Sequence, residues 1–306
     1  TEIYTLSLHD ALPIYYLRML RAVRFASVLD FRLDPATAEA IREQARRIRK
    51  IAHERVRDEL LRILTGSPKA GAGILLLRDT GLLAEILPEV AAMEGVAQPP
   101  EFHPEGDVLA HTVGMLDLMR EPPVELALAV LLHDAGKPAT ARVGPAAGGG
   151  GMRIRFDGHD AAGAAIAERA LRRLKLPVRV IEHVTACVAG HMRFMNVPAM
   201  RPATLRRMMA APTFATELEL HRLDCLSSGR TPVALEVVAK AREAWEHEKS
   251  LPRAMIRGGD VLAMGVPSGP GVGRWVRAAF DRQLETPGIT RAKLLRWVAG
   301  KIKAEG

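Results

Sequence analysis

The stretch VELALAVLLHDAGKP, Val124 to Pro138, joins a nearly unbroken apolar run to the pair His133-Asp134. A run rich in Leu and Ala is typical of a helix that is buried over most of its surface. Gly136 and Pro138 follow the pair and predict that the helix ends there. An adjacent His-Asp pair is a well-known metal-ligand signature, and such neighbours can bind one ion where a helix is ending or where the ion lies between them at the edge of the helix axis. We therefore predict that His133 and Asp134 bind a metal ion.

Two residues on other predicted helices complete this candidate site. His111 opens an apolar helix, and Asp224 lies in LHRLDCLSS, on a third helix. Nitrogen and oxygen ligands without thiolates suit several divalent metals, Mg²⁺, Mn²⁺ and Ni²⁺ among them, so the sequence does not identify the ion. A bound ion of this kind acidifies a water molecule and polarises a phosphoryl oxygen. Lys137, which follows the pair, is placed to neutralise a phosphate.

The remaining histidines of the middle region fall into two groups. Three are candidates for supporting the metal ligands or contacting substrate, and the alternative for each is a structural or surface role: His159, His183 and His191. His183 and His191 are eight residues apart, close to two helical turns, so they are expected on one helix face. Three others are expected to be exposed to solvent: His103, His221 and His247.

Composition favours a globular, helical, basic protein. The 306 residues are 48% hydrophobic and 25% charged, and aromatic residues make up only 4%. The formal net charge of +8 indicates a polyanionic partner such as RNA, more than a membrane. Apolar runs fall short of the ~20 residues of a membrane span. The two cysteines, Cys187 and Cys225, have no C-x-x-C spacing and are predicted to be buried thiols in a reducing cytoplasm.

The first 14 residues, TEIYTLSLHDALPI, contain a second pair, His9-Asp10. This pair has neither a helical pattern around it nor a preceding histidine, so we assign it no function. The segment resembles the translation of a sequencing-library adapter, and we expect it to be a non-native scar that replaces an upstream part of the protein. The alternative is a genuine N-terminal strand.

From Leu17 the pattern becomes helical, and it predicts an all-α fold. Asp34 before Pro35 predicts a helix start, and the helix is expected to continue to residue 51. Gly66 is expected to end the next helix, and breaks are expected at Gly81 and Pro88. The Pro-rich segment 98–109 predicts a loop or domain boundary, and the Gly-rich segment 144–151 predicts a loop. MRIRFDGHD predicts a short strand or an extended segment.

The motifs in their order resemble a known family. The strings HTVGMLDLM, ALAVLLHDAGKPAT, RFDGHDAAGA, GHMRF and ELHRLDCLSS resemble the HD domain of metal-dependent phosphohydrolases. Before them, LRMLRAVRFASVLDFRLDPAT, IAHERVRDELLRIL and GLLAEILPEV are similar to the neck of bacterial class II tRNA nucleotidyltransferases and poly(A) polymerases. MIRGGDVLAMGVPSGPGVGRWV is similar to their C-terminal segment. The resemblance implies an incomplete neck, an HD domain and a helical tail, at residues 15–95, 96–230 and 231–306.

The resemblance implies two activities. One is CTP- and ATP-dependent extension of a tRNA or other RNA 3′ end, which needs an α/β head with a G-S-x-x-x-D-x-D strand that this sequence lacks. Arg18 matches the arginine of the neck's nucleotide-reading motif, whose acidic positions fall on Ile14 and Tyr15. Arg18, Arg21 and Arg24 are candidates for binding nucleotides or RNA, and the alternative is a solvated basic helix face.

The other activity is hydrolysis of 2′-nucleotides, 2′,3′-cyclic phosphates or terminal phosphates. The metal ligands of that family match His111, His133, Asp134 and Asp224, and we assign catalysis to His133, Asp134 and Lys137. We expect a cytoplasmic protein that hydrolyses phosphoesters, lacks nucleotidyl transfer, contacts RNA 3′ ends and nucleotides, and has neither a membrane nor a protein partner. The alternatives are a stand-alone HD phosphohydrolase and a non-catalytic RNA-binding module.

Overall fold

The computed structural model describes residues 15–99, 106–145, 151–245 and 251–305. Within these ranges the chain is helical apart from one two-stranded sheet, which confirms the predicted all-α class. None of the helices in these ranges is both long and apolar enough to cross a membrane. The adapter-like segment with His9-Asp10, and also His103 and His247, lie outside the described residues.

The chain divides into two compact units. The first comprises the described residues up to 194 together with 215–232. Its elements are α1 (Leu17–Val28), α2 (Pro35–Gln44), α3 (His53–Gly66), α4 (Ala70–Asp79), α5 (Leu82–Ile86), α6 (Pro88–Ala91), α7 (Val108–Leu118), α8 (Val124–Leu132), α9 (Lys137–Thr140), β1 (Arg142–Pro145), β2 (Met152–Arg155), α10 (His159–Arg173), α11 (Val178–Gly190), part of the 3₁₀ segment His191–Ala199 and most of α13 (Phe214–Ser227).

Local sequence explains most helix limits near the N-terminus. The Asp34 side chain accepts a hydrogen bond from the Thr37 amide at 3.0 Å, and Pro35 occupies the first turn, as predicted. α3 ends at Gly66, and the predicted breaks at Gly81 and Pro88 are present. The expected continuous helix to residue 51 is wrong in part, because α2 ends at Gln44 and a 3₁₀ segment, Ala45–Lys50, follows.

The change to 3₁₀ geometry follows from the spacing of the apolar residues. Ala45, Ile48 and Ile51 recur every three residues, and all three are buried. A 3₁₀ helix has three residues per turn, so it places Ala45 and Ile48 on one face, and Ile51 follows directly after it in extended conformation. Tertiary packing therefore sets the geometry of this segment.

Helix α8 lies at the centre of the first unit. Every residue from Leu126 to Leu132 is buried, and α8 packs against α3, α7 and α11. It belongs to a single hydrophobic core cluster, whose buried residues come from positions between Tyr16 and Leu223. Because α8 is enclosed on all sides, its C-terminal end delivers His133 and Asp134 into the interior of the unit.

The turn after α8 packs directly against α10. A Cβ atom added at Gly136 would lie 2.1 Å from the His159 carbonyl oxygen and 2.6 Å from the Gly163 nitrogen, both backbone atoms. Only a glycine permits this approach, which explains Gly136 better than the predicted helix stop does. The contact fixes the start of α10, and so His159, beside the His133-Asp134 pair.

The second unit comprises the described residues of 195–214 and 233–306. Its helices are α12 (Pro202–Met209), α14 (Val233–Ala244), α15 (Gly258–Ala263), α16 (Pro270–Glu285) and α17 (Arg291–Glu305). It has a small core of its own, formed by Ile256, Val261, Trp275, Ala279, Leu294 and Val298. The domain limits at residues 95 and 230 stay predictions.

Candidate metal centre

The His133 side chain is held by the helix that it ends. Its Nδ1 atom lies 2.8 Å from the Val130 carbonyl oxygen, one of the carbonyls that a helix terminus leaves without a backbone partner. A carbonyl only accepts, so Nδ1 donates and Nε2 is the ring nitrogen that faces the candidate site. This Nε2 lies 3.1 Å from Asp134 Oδ2, and both residues are buried.

His159 and His191 use the same arrangement. The Nδ1 atom of His159 donates to the Phe156 carbonyl at 2.8 Å, and that of His191 donates to the Val188 carbonyl at 2.6 Å. In each residue the acceptor lies three positions earlier, as it does for His133. A backbone acceptor that fixes the tautomer and orients the ring is the usual support of a metal-binding histidine.

These rings converge on Asp134. The Nε2 atoms of His159 and His191 lie 3.6 Å and 3.9 Å from Asp134 Oδ1, and 3.1 Å from each other. In their neutral forms both Nε2 atoms bring lone pairs together, and a cation or a proton between them removes the repulsion. The residues therefore fit a metal ion.

The candidate ligands form two groups that share one carboxylate. The ligand atoms of His111, His133 and Asp134 lie within 4.8 Å of one another, and so do those of Asp134, His159 and His191. All five residues are buried. Asp134 has two oxygen atoms, which face the two groups from opposite sides of its carboxylate. The centre thus has the donors for a pair of ions with Asp134 between them.

Asp224 approaches the first group from α13. Its Oδ1 atom lies 3.3 Å from His111 Nε2, and Arg230 Nη2 contacts both carboxylate oxygens at 3.0 Å. Burial opposes ionisation of Asp224, but the hydrogen bond to His111 and the Arg230 charge outweigh it and hold its pKa well below the usual range. His111 is placed by Asp107, which caps α7 by accepting from the Ala110 amide at 2.7 Å.

The surroundings of Asp134 and His191 favour the protonation states that bind metal. Burial opposes ionisation of Asp134, yet the neighbouring His133 and Lys137 keep its pKa well below the ordinary value. Burial and the proximity of His133 lower the pKa of His191 to about 4, although Asp134 acts in the opposite direction. At neutral pH the carboxylate is therefore ionised and the His191 ring is neutral, the forms that bind metal.

Lys137 has two partners at the centre. Its Nζ atom lies 2.6 Å from Asp134 Oδ2 and 2.6 Å from Gln98 Oε1, and it stacks over the Phe156 ring at 5.4 Å. Gln98 is buried and was missed by the sequence reasoning. A single glutamine in a Pro-rich segment carries no periodic or spacing signal, so only the tertiary contact reveals it.

Two histidines lie away from the cluster. His183 Nε2 contacts Thr216 Oγ1 at 2.9 Å and is in neither ligand group. The expected solvent exposure of His221 is wrong: it is buried, stacks on Phe194 with ring centroids 5.2 Å apart, and lies 3.6 Å from Cys225 Sγ. Its helix places it on the inner face with Cys225, one turn later. The predicted burial of Cys187 and Cys225 is confirmed.

The three candidate arginines of α1 have different surroundings. Arg24 Nε lies 2.5 Å from Oε2 of the buried Glu59, and Arg21 Nε lies 3.2 Å from its Oε1. Arg18 is exposed and lies over the Tyr15 ring at 4.6 Å. Arg21 and Arg24 therefore share a structural partner in Glu59, although Arg21 stays half-exposed, whereas Arg18 presents its charge at the surface. Binding of RNA or nucleotides by these residues stays a prediction.

Comparison with known families matches two segments of the chain. Residues 30–94 match the family described as a probable RNA and SrmB-binding site of polymerase A. Residues 107–224 match the HD domain family. The second segment spans every candidate metal ligand from His111 to Asp224.

Curated relatives cover nearly the whole chain. The CC-adding tRNA nucleotidyltransferase of Thermus thermophilus is 37% identical over 301 residues, which is 94% of this chain and 67% of the relative. The A-adding tRNA nucleotidyltransferase of Deinococcus radiodurans is 35% identical over 303 residues, 92% of this chain and 68% of the relative. The chain thus spans about two thirds of the length of these relatives.

A solved structure shows the same fold. It is the Bacillus stearothermophilus CCA-adding enzyme in complex with CTP, with a TM-score of 0.63 and 23% identity. The match covers 94% of this chain and 62% of that one. At this identity the likeness concerns the fold alone.

Proposed function

Because this chain belongs to the class II CCA-adding and poly(A) polymerase family, we propose that it acts in tRNA 3′-end processing and that its metal centre hydrolyses a phosphoester. The observation that carries the second part is the convergence of the His133, His159 and His191 rings, each fixed through Nδ1, on the ionised Asp134. An enclosed set of oriented nitrogen and oxygen donors is the arrangement by which proteins hold divalent cations.

The ligands divide between two ion positions. His111, His133, Asp134 and Asp224 hold the first, and Asp134, His159 and His191 hold the second. Divalent ions bound there would supply an acidified water molecule and would withdraw charge from the phosphoryl group. Asp134 is a carboxylate at neutral pH, because the neighbouring His133 and Lys137 hold its pKa well below the ordinary value despite its burial.

Lys137 binds the phosphoryl group. An ammonium group has three donors, and two are used by Asp134 and Gln98 at 2.6 Å each. The third is left for a phosphoryl oxygen at the edge of the centre. The two fixed contacts restrict the side chain to one orientation, so the positive charge is in place before substrate arrives.

RNA is the proposed partner and the cytoplasm the proposed location. The match to an RNA-binding family over residues 30–94 and the net charge of +8 support binding to RNA. The two cysteines, buried and unpaired, suit a reducing compartment. We propose that these 306 residues do not carry nucleotidyl transfer themselves, since their sequence contains no G-S-x-x-x-D-x-D motif. Incorporation of CTP or ATP into tRNA by this chain would refute that proposal.

A non-catalytic RNA-binding module is the second candidate, favoured by the same RNA-binding match. The two are separated by hydrolysis of 2′,3′-cyclic CMP with added Mn²⁺, Ni²⁺ or Mg²⁺. We expect metal-dependent release of nucleotide, abolished in Asp134→Ala and retained in His183→Ala, whose histidine lies outside both ligand groups. Equal activity in Asp134→Ala and the unmodified protein would rule out this centre, and no activity in either would leave the RNA-binding module.

A further inference from the structure

The hairpin of β1 and β2 has one strongly basic face. Arg142 lies opposite Arg155, and Gly144 lies opposite Arg153, in an antiparallel register. Side chains of directly opposed residues, and of residues two apart, lie on the same face of a sheet. Arg142, Arg153 and Arg155 therefore share one face, and an arginine directly faces an arginine.

The two facing arginines, Arg142 and Arg155, share one carboxylate, that of Asp157. Asp157 contacts Arg142 Nη2 at 3.2 Å and Arg155 Nη2 at 3.3 Å. Like charges directly across a strand pair are destabilising, exposed ion pairs contribute little, and an isolated hairpin is marginal in water. Side chains of Arg142 and Arg155 are 62% and 41% exposed, so their positive charge is open to an external anion. Stability of the hairpin does not account for this arrangement, whereas binding of an anion does.

Both ends of the hairpin are attached at the metal centre. β1 begins two residues after Thr140, whose hydroxyl donates to the Gly136 carbonyl at 3.0 Å. β2 is followed by Phe156, whose carbonyl accepts from His159 and whose ring lies under Lys137. Arg155 and His159 are four residues apart, so their Cα atoms are separated by at most about 14 Å. The facing arginines thus stand at the base of the hairpin, close to the candidate ligands.

We propose that the arginine face of this hairpin binds the phosphodiester backbone of a polynucleotide whose 3′ end lies at the metal centre. This inference rests on the proposed phosphohydrolase function and specifies its substrate as the end of an RNA strand, in preference to a free nucleotide. Guanidinium groups suit this role because they stay charged and pair with phosphate through two donors. A free nucleotide has no upstream phosphate to reach the hairpin.

The test compares two substrates with the same reacting group. One is 2′,3′-cyclic CMP, and the other is an oligoribonucleotide that ends in a 2′,3′-cyclic phosphate. The variant is the double substitution Arg142→Gln and Arg155→Gln. The matched control is Arg172→Gln, which removes an exposed arginine of α10 that is paired with Glu168.

For the oligonucleotide we expect the double variant to raise KM about tenfold, equivalent to ~1.4 kcal/mol, with little change in kcat. For a single strand, each phosphate contact contributes about 0.7 to the slope of log affinity against log salt concentration. The double variant removes two such contacts, so the magnitude of this slope should fall by about 1.4. The double variant should hydrolyse 2′,3′-cyclic CMP with unchanged kcat and KM. The control Arg172→Gln should hydrolyse both substrates with unchanged kcat and KM. Replacing both arginines with lysine should restore most of the salt dependence.

An equal loss on both substrates, or no loss on either, would overturn the proposal. If the unmodified protein hydrolyses neither substrate, the proposed function fails, and fluorescence anisotropy of the labelled oligonucleotide then tests the hairpin by itself. Weaker binding by the double variant than by Arg172→Gln would support the hairpin as an RNA-binding element. Equal binding would refute it.

Discussion

Substituting Gly136 with alanine should damage both the stability of the first unit and its metal centre. The backbone of Gly136 has φ −82° and ψ −18°, which alanine adopts without strain, so the effect is steric. The new Cβ would lie 2.1 Å from the His159 carbonyl oxygen, and contacts under 3.0 Å are essentially never seen. The start of α10 would have to move by about 0.9 Å, and His159 would move away from Asp134 with it.

We expect Gly136→Ala to lower the free energy of unfolding by about 2 kcal/mol, in the range found for overpacked cores. A shift of this size in one ligand should weaken metal binding by at least about tenfold. Urea denaturation with and without chelator measures the first effect, and titration with Mn²⁺ measures the second.

Gly163→Ala is the matched control on the opposite side of this contact. Its added Cβ would lie 3.3 Å from the Gly136 nitrogen and from Val188 Cγ1, a mild overlap that small adjustments relieve. It should cost about 0.5 kcal/mol or less and leave metal affinity nearly unchanged. If Gly136→Ala proves as stable and binds metal as tightly as Gly163→Ala, packing of the turn against α10 does not position His159.

Two further predictions concern stability. Glu59→Gln should lower the free energy of unfolding by about 2 kcal/mol, because it leaves Arg24, only 15% exposed, without its buried carboxylate. The control Glu39→Gln, at an exposed ion pair, should change the free energy of unfolding by less than about 0.5 kcal/mol. Similar values for the two variants in urea denaturation would contradict this prediction. Burial lowers the pKa of His191 from 6.5 in the unfolded chain to about 4 in the folded protein. Between these two pH values the unfolded chain binds a proton that the folded protein does not. The free energy of unfolding must therefore fall as the pH drops from 6.5 towards 4. The loss should approach about 3 kcal/mol in metal-free protein and be smaller in His191→Gln, and equal pH profiles would show that His191 is not responsible.

Elements with local signals could be predicted from the sequence. The apolar run of α8 and the residues after it predicted both the helix and the buried pair at its end. The cap at Asp34 and the breaks at Gly81 and Pro88 likewise depend on neighbouring residues alone. The change to 3₁₀ geometry at Ala45 could not be predicted from helix propensity, because tertiary packing decides it.

The geometry of the candidate site depends on contacts between distant segments. His159 joins the centre because Gly136 allows α10 to approach the turn after α8, and no spacing rule connects residues so far apart. The positions of Gln98 and His221 likewise could not be predicted from neighbouring residues, for two different reasons. The first has no motif, and the second has a polar side chain that a helix nonetheless turns inward.

Metal analysis of the purified protein tests the central claim most directly. After exposure to Mn²⁺ and removal of free ion, the chain should retain about two ions, close to none in Asp134→Ala, and about one in His159→Ala. His183→Ala, outside both ligand groups, should retain the full amount. Absence of bound metal from the unmodified protein, or equal metal content in Asp134→Ala, would contradict a metal centre at this cluster.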